Sequence, residues 1–197
     1  MAKSKYVSNE IRLSFVNVFE PDRNGKYSVV ILMPKSDAEG KARMDALIEE
    51  VKREGAKSKW DGKIPPRVDI ALHDGDGGRP SDGEPFGAEC KGHWVISARS
   101  DHQPDMVDEN LNPIINKTDL YSGCYARVGI NPYAYNYQGK KGISFGLNTI
   151  QKLRDGEPLG GERAKASDDF GAPAGYTPPK ATTELRFDPA TGLPIRS

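Results

Sequence analysis

The chain has 197 residues, 28 basic and 28 acidic side chains, and a hydrophobic content of 36%. This length supplies one sizeable domain with a full core, together with a tail. No apolar run is long enough to span a bilayer, and the first ten residues lack the apolar segment of a secretory signal. We therefore expect a cytoplasmic protein without a membrane contact, in which Cys90 and Cys124 stay free thiols.

The zero net charge conceals a separation of charge along the chain. Residues 60–120 carry 6 basic and 12 acidic side chains, whereas residues 121–154 carry 5 basic and no acidic ones. This division indicates either ion pairs between the two blocks or acidic loops that confine an anionic partner to one channel.

A β-hairpin is predicted near the start of the chain. Residues 10–19 alternate from Ile11 through Phe15, and the pattern then shifts at Val16, as a β-bulge would shift it. A Pro-Asp-Arg-Asn-Gly turn leads to residues 26–34, whose centre is wholly apolar. The two strands are therefore expected to pair.

A helix is predicted over residues 36–54, because apolar side chains recur there at spacings of three and four. Ser36 and Glu39 match a capping box at its start, and Gly55 is expected to end it. Charges of both signs cover the other face, which is typical of a solvated surface and not of a nucleic-acid groove.

The remaining pattern predicts strands over residues 67–72, 91–100, 120–130 and 142–153. Five or six strands with one early helix indicate a mainly β fold, an antiparallel OB-fold barrel with one inserted α-helix. Residues 1–159 are predicted to form this domain. Residues 160–197 lack periodicity and are rich in Gly and Pro, so that they are predicted to form a flexible, disordered C-terminal tail.

The clearest functional pattern lies in the alternation after residue 120. Cys124, Ala126, Val128 and Ile130 form a small apolar face that suits a core. The opposite row carries five of the eight tyrosines and one arginine, separated by glycines that would leave room for bases to lie flat. This row consists of Tyr121, Tyr125, Arg127, Tyr133, Tyr135 and Tyr137.

Cations beside exposed aromatic rings are what a single-stranded nucleic acid requires, because the cations neutralise phosphates and the rings stack on bases. The same rows therefore predict a binding platform, although tyrosines can also line a second buried face. We add four cations to the predicted DNA-binding set: Lys140, Lys141, Arg99 and Lys152.

The stretches YSGCYARV and YAYNYQGKKGISFGLN resemble, in order, spacing and glycine positions, a family of tailed-bacteriophage single-stranded DNA-binding proteins, first catalogued as a domain of unknown function. The resemblance covers roughly residues 10–161. It implies an OB-fold and sequence-independent binding during phage replication and recombination in the cytoplasm of the infected bacterial host, without catalysis. We expect no cofactor, and a monomer or homodimer.

Related replication proteins commonly end in an acidic tail with a terminal aromatic, whereas this chain ends in Leu-Pro-Ile-Arg-Ser. The remaining candidate for recruiting replication proteins is the short run Asp168, Asp169 and Phe170.

Two other functions stay open at this point. Asp74 and Asp76, with Asp82 or Glu84, would hold divalent ions in a metal-dependent nuclease, although a glycine-rich loop holds such groups poorly. A phage structural or scaffold protein would bind no nucleic acid. The spacing of Cys90 and His93 also matches zinc ligands, which His102 and Cys124 would complete, but packing is the commoner role of such residues.

Overall fold

Nine β-strands and one α-helix make up the described part of the protein, residues 4–159 of a computed structural model. The elements are β1 (Tyr6–Val7), β2 (Ile11–Asn17), β3 (Tyr27–Pro34), α1 (Ala38–Ser58), β4 (Asp69–Ile70), β5 (Leu72–Asp74), β6 (His93–Ser100), β7 (Asp105–Val107), β8 (Tyr125–Tyr137) and β9 (Lys140–Arg154). The predicted tail, with Asp168, Asp169 and Phe170, lies outside the described residues.

Five of the strands close into a ring. β2 pairs with β3, β3 with β6, β6 with β9, β9 with β8, and β8 again with β2. All these pairs are antiparallel except β6–β9, which is parallel. The short strands β1, β4, β5 and β7 add pairings around this ring. The predicted OB-type barrel with one helix inserted early is thereby confirmed.

The first hairpin carries the predicted bulge. The pairing of β2 with β3 shifts register between Ser14 and Asn17, and Phe15 adopts a positive φ of 45°. As a result Phe15 is exposed, although the alternation had grouped it with Ile11 and Leu13, which are both fully buried.

The helix differs from the prediction at both ends. Asp37 caps it in place of Ser36, because the Asp37 carboxylate accepts a hydrogen bond from the Gly40 amide at 3.0 Å. The helix also continues past Gly55, whose role is close packing: a Cβ there would lie 2.6 Å from the Cβ of Ala134 on β8. No helix within residues 4–159 is long and apolar enough to cross a membrane.

The hairpin of β8 and β9 is the longest unit of the sheet, with strands of 13 and 15 residues. Its two-residue turn has positive φ at both positions, 50° at Gln138 and 81° at Gly139, which matches the twist of the flanking strands. One extra residue, Asn148, interrupts the register of β9 between the pairs Gly129–Thr149 and Ile130–Leu147.

Both faces of β6 are covered at its middle, which alternation alone could not decide. Ile96 and Ala98 belong to the main core, whereas Val95 packs with Leu32 and Cys90 in a second, smaller cluster. Phe86, from the glycine-rich loop, packs against this second cluster. The far end of β6 carries Arg99, which is exposed.

Candidate nucleic-acid interface

The tyrosine strand has the two faces that its alternation predicts, beginning at Tyr125 instead of residue 120. Ala126, Val128 and Ile130 are buried in the main core, and so is Cys124 just before the strand. On the opposite face, 45% of Tyr133 and 68% of Tyr137 are exposed. These rings therefore face solvent and do not line a second buried layer.

Four side chains form what we call the hairpin face: Tyr133, Tyr135, Tyr137 and Lys140. Tyr137 pairs directly with Lys140, and Tyr135 with Gly142. A Cβ at Gly142 would lie 2.5 Å from the Tyr135 hydroxyl, so the tyrosine ring covers this glycine. The glycine thus makes room for a ring of the protein itself.

The turn after α1 fixes the hairpin from behind. The Trp60 indole donates a hydrogen bond to the Tyr135 carbonyl at 2.9 Å, and the Asn136 amide donates to the Lys59 carbonyl at 3.2 Å. On the same side, Lys141 lies 3.3 Å from the Asp61 carboxylate. These contacts hold the hairpin backbone and leave its tyrosine-bearing surface open.

A groove runs past Tyr133, formed by two adjoining hollows to which this residue is common. One hollow, of about 510 Å³, is lined by Arg99, Asp101, His102 and Asn131, among others. The other, of about 790 Å³, lies between Tyr133 and Tyr135 on one side and residues 67–73 on the other. Together they offer a path for an extended chain past Tyr133 and Tyr135, the part of the hairpin face that lines them.

Lys26 is a cation beside the groove that was not among the predicted site residues. It lies just before β3, after the turn that follows β2, and its ammonium group pairs with Asp101, which lines the first hollow. Asp22 holds this turn, because its carboxylate accepts hydrogen bonds from the amides of Lys26 and Asn24, which lower the pKa of Asp22. In OB folds the loop between the first two strands flanks the ligand, and that rule could have identified Lys26.

Tyr121 and Tyr125 form a second group, far from the first along the barrel. Tyr125 has the guanidinium of Arg154 3.7 Å from its ring centroid and that of Arg12 at 5.6 Å. Lys152 lies 5.4 Å from the ring centroid of Tyr121. The rings of this group are thus already in contact with cations of the same chain.

The chain beyond β9 packs on this second group. We call residues 155–159 the strap. The Tyr121 hydroxyl donates to the Asp155 carboxylate at 3.0 Å and accepts from the Gly156 amide at 3.1 Å. Gly123, with φ of 114°, passes so close that a Cβ there would lie 2.1 Å from the Glu157 carbonyl oxygen. Tyr121 therefore lies in a turn beneath the strap and not in a strand.

Three of the five cations between residues 121 and 154 have acidic partners from other parts of the chain. Lys141 pairs with Asp61, Lys152 with Asp155, and Arg154 with Glu10. Arg127 is exposed and donates from Nε to the Ser8 carbonyl at 3.1 Å. Within residues 4–159, Lys140 and Arg99 have no acidic partner within 4 Å. Of these three pairs, only Lys141–Asp61 joins the basic stretch to the acidic block of residues 60–120, because Glu10 and Asp155 lie outside that block.

The position of Lys152 follows from the extra residue in β9. Because Asn148 shifts the register, Lys152 pairs with Ala126 and lies on the inner side of the sheet, with 17% of its side chain exposed. Uninterrupted alternation would have placed it outside.

The acidic loop is held by a lysine. Lys35 lies 2.5 Å from Asp74 and 2.6 Å from Asp76, and these hydrogen bonds lower the pKa of both carboxyl groups. In the part of the chain that the structure describes, no three His, Cys, Asp or Glu residues come together as metal ligands would. Neither the nuclease hypothesis nor the four-residue zinc hypothesis therefore gains a metal site there.

An OB-type barrel with an open groove of tyrosines and cations is the architecture of a nucleic-acid-binding protein. The family model for "Enterobacter phage Enc34, ssDNA-binding protein" matches residues 4–179. The chain belongs to this family of phage proteins, and the resemblance found in its sequence is confirmed.

Individual relatives agree with this assignment. Protein p50 of Acyrthosiphon pisum secondary endosymbiont phage 1 is 31% identical over 181 residues, which cover 82% of this chain and 90% of that protein. The single-stranded DNA-binding protein from bacteriophage Enc34 is 29% identical with a TM-score of 0.67, over 84% of this chain and 89% of that one.

The Enc34 protein has also been solved in complex with ssDNA, and that structure matches at 28% identity and a TM-score of 0.67, over 79% of this chain and 89% of that chain. The single-stranded DNA-binding protein gp2.5 of bacteriophage T7 is 15% identical with a TM-score of 0.59, over 90% of this chain and all of that one. This last similarity concerns the fold alone.

Proposed function

We propose that this protein binds single-stranded DNA without regard to sequence, during the replication and recombination of a phage in the cytoplasm of its bacterial host. The observation that carries the proposal is the hairpin face, whose tyrosines point outward beside the groove of an OB barrel. The family model that matches the chain, described as an ssDNA-binding protein, supports the same ligand. The Enc34 relative in complex with ssDNA supports the same ligand class.

Binding combines two physical contributions. Tyr133, Tyr135 and Tyr137 stack on bases, each contributing about 1–3 kcal/mol. Lys140 and Arg99, which have no acidic partner in the described structure, contact phosphates, and this contribution weakens as salt is added. Every base has a flat face, so stacking tolerates any sequence. Paired bases offer no free faces, which explains the preference for single strands.

The other candidates from the sequence take different parts in this proposal. Arg127 and Lys141 add to the positive field near the strand, while Tyr121, Tyr125 and Lys152 hold the strap. We add Lys26 and Arg67 to the interface, because Lys26 pairs with Asp101 of the first hollow and 91% of the Arg67 side chain is exposed at the second.

The test is a fluorescence anisotropy titration of a labelled poly-dT oligonucleotide with the full chain, at about 50 mM and about 200 mM salt. The proposal predicts binding that weakens with salt and that unlabelled single strands compete away far better than duplex. Incubation with magnesium or manganese should leave the strand's length unchanged. Salt-insensitive or absent binding would favour a structural protein, and shortened strands would favour the nuclease.

We propose that the protein acts as a monomer or homodimer, and light scattering on a sizing column measures its mass.

We propose further that Asp168, Asp169 and Phe170 recruit replication proteins. Pull-down of the host polymerase, with a Phe170→Ala variant as control, tests this role of the tail. Equal recovery of polymerase by both proteins would contradict a role for Phe170.

A further inference from the structure

One ion pair has its acidic member in the groove, where the proposed function requires cations that are free to bind phosphates. Lys26 pairs with Asp101, and Asp101 lines the same hollow as Arg99 and Tyr133. The hydrogen bond with Asp101 is the main cause that raises the pKa of Lys26.

We propose that Asp101 stands in for a DNA phosphate on Lys26 and must be displaced when single-stranded DNA binds, so that it limits the affinity and reduces the salt dependence of binding. This inference rests on the proposed function and adds to it a carboxylate that limits the affinity. A carboxylate and a phosphodiester are both anionic oxygen groups, so they compete for the same ammonium group.

The exposure of the pair makes such an exchange inexpensive. The side chain of Lys26 is 42% exposed and that of Asp101 is 69% exposed. Exposed ion pairs contribute little to stability and are screened by salt, so the pair opens at small cost. Asp101 has no other hydrogen-bond partner in the described structure, which leaves its carboxylate without a competing structural role.

The exchange also predicts a signature in the salt dependence. A lysine that binds a phosphate releases about 0.7 of a counterion from single-stranded DNA. When the lysine first gives up Asp101, the freed carboxylate attracts a cation from solution, and this uptake offsets the release. The wild-type protein should therefore show a shallower salt slope than its count of phosphate contacts predicts.

The experiment compares four full-length proteins by anisotropy titration with labelled poly-dT over a range of salt: wild type, Asp101→Asn, Lys26→Ala and the double variant. Asp101→Asn should bind about two- to fivefold more tightly at low salt, and its salt slope should steepen by about 0.7. This gain should disappear in the Lys26→Ala background, because the exchange needs the lysine.

Asp45→Asn is the matched control, since Asp45 pairs with Lys41 at 2.6 Å on α1 and does not line the groove. It should leave the salt slope unchanged. An Asp101→Asn protein that binds no more tightly than wild type overturns the inference alone, as does an equal gain with and without Lys26, which would indicate general repulsion. A wild type that fails to bind poly-dT overturns the proposed function instead, and this inference with it.

Discussion

Tyr125 and Tyr133 lie on the same strand at the same parity, eight residues or about 27 Å apart, yet their surroundings are opposite. Tyr125 is packed by Arg154 and Arg12. Tyr133 faces a groove, and in the described structure no cation lies over its ring. Strand parity thus selects the side of the sheet on which a ring lies, whereas the contacts of that ring decide whether a ligand can reach it.

The strap explains the difference between the two ends of β8. The Leu159 amide donates to the Ser122 carbonyl at 2.8 Å, and Arg12 donates to the Glu157 carbonyl at 2.6 Å, so the chain after β9 covers the Tyr121 end. At the other end the two strands meet in a two-residue turn. Among residues 4–159, the hydrogen bonds of the strap lie at the Tyr121 end, and at the end with the turn 45% of Tyr133 and 68% of Tyr137 are exposed.

The largest expected effect is a difference in DNA affinity between variants at the two ends of β8. Tyr133→Ala should weaken binding of poly-dT about 5- to 150-fold with little change in salt slope, because it removes a stacking surface and no charge. Tyr125→Ala should change the affinity by less than about twofold. Anisotropy titration measures both, and an equal loss in the two variants would contradict the assignment.

The free energy of unfolding should show the reverse order, with a larger loss for Tyr125→Ala than for Tyr133→Ala. Tyr125→Ala removes a ring packed against two guanidinium groups and against Gly156, so the free energy of unfolding should fall by about 1–3 kcal/mol. Tyr133→Ala changes an exposed position and should stay within about 0.5 kcal/mol of wild type. Urea unfolding followed by tryptophan fluorescence measures this. A larger loss for Tyr133→Ala would place that ring in the core instead.

The lysines of the two ends give a third, smaller contrast. Lys140→Ala should flatten the salt slope of poly-dT binding by about 0.7, because it removes one phosphate contact. Lys152→Ala should leave the slope unchanged, since Lys152 lies on the inner side of the sheet and pairs with Asp155. Equal slopes for Lys140→Ala and wild type would remove Lys140 from the interface.

Acid should affect the strap before the hairpin face. Hydrogen bonds from Arg154 lower the pKa of Glu10, and those from Lys152 and Tyr121 lower that of Asp155. A carboxyl group with a depressed pKa in the folded state stabilises that state above its unfolded pKa and loses this contribution as pH falls through the folded value.

Below about pH 4.5, the protection of backbone amides against hydrogen exchange, relative to the intrinsic rate at each pH, should therefore fall at the strap more than in residues 133–137. Glu10→Gln should remove part of this pH dependence. A uniform loss of protection over the whole barrel would contradict a local cause.

Much of the fold was predictable because its signals are local. The buried row from Cys124 to Ile130, the bulge in β2 and the β8–β9 turn all follow from alternation and turn residues. The partners of the cations were not predictable, because Asp61 and Glu10 are far away in sequence and only the closed barrel brings them near.

Part of the candidate site was also predictable from local patterns. Alternation correctly placed Tyr133 and Tyr137 on the outer surface, since each strand residue chooses between two sides. The displacement of Lys152 depends on a single extra residue, Asn148, and no residue pattern marks it. Lys26 comes next to the groove residue Asp101 only because β3 pairs with β6, which a linear pattern does not contain.

The proposed function depends most on the claim that bases stack on the hairpin face. Photocrosslinking of the full chain to poly-dT substituted with bromodeoxyuridine, followed by mass spectrometry of the peptides, tests it directly. We expect crosslinks within residues 133–137. Crosslinks confined to Tyr121 and Tyr125, with none at the hairpin, would contradict it.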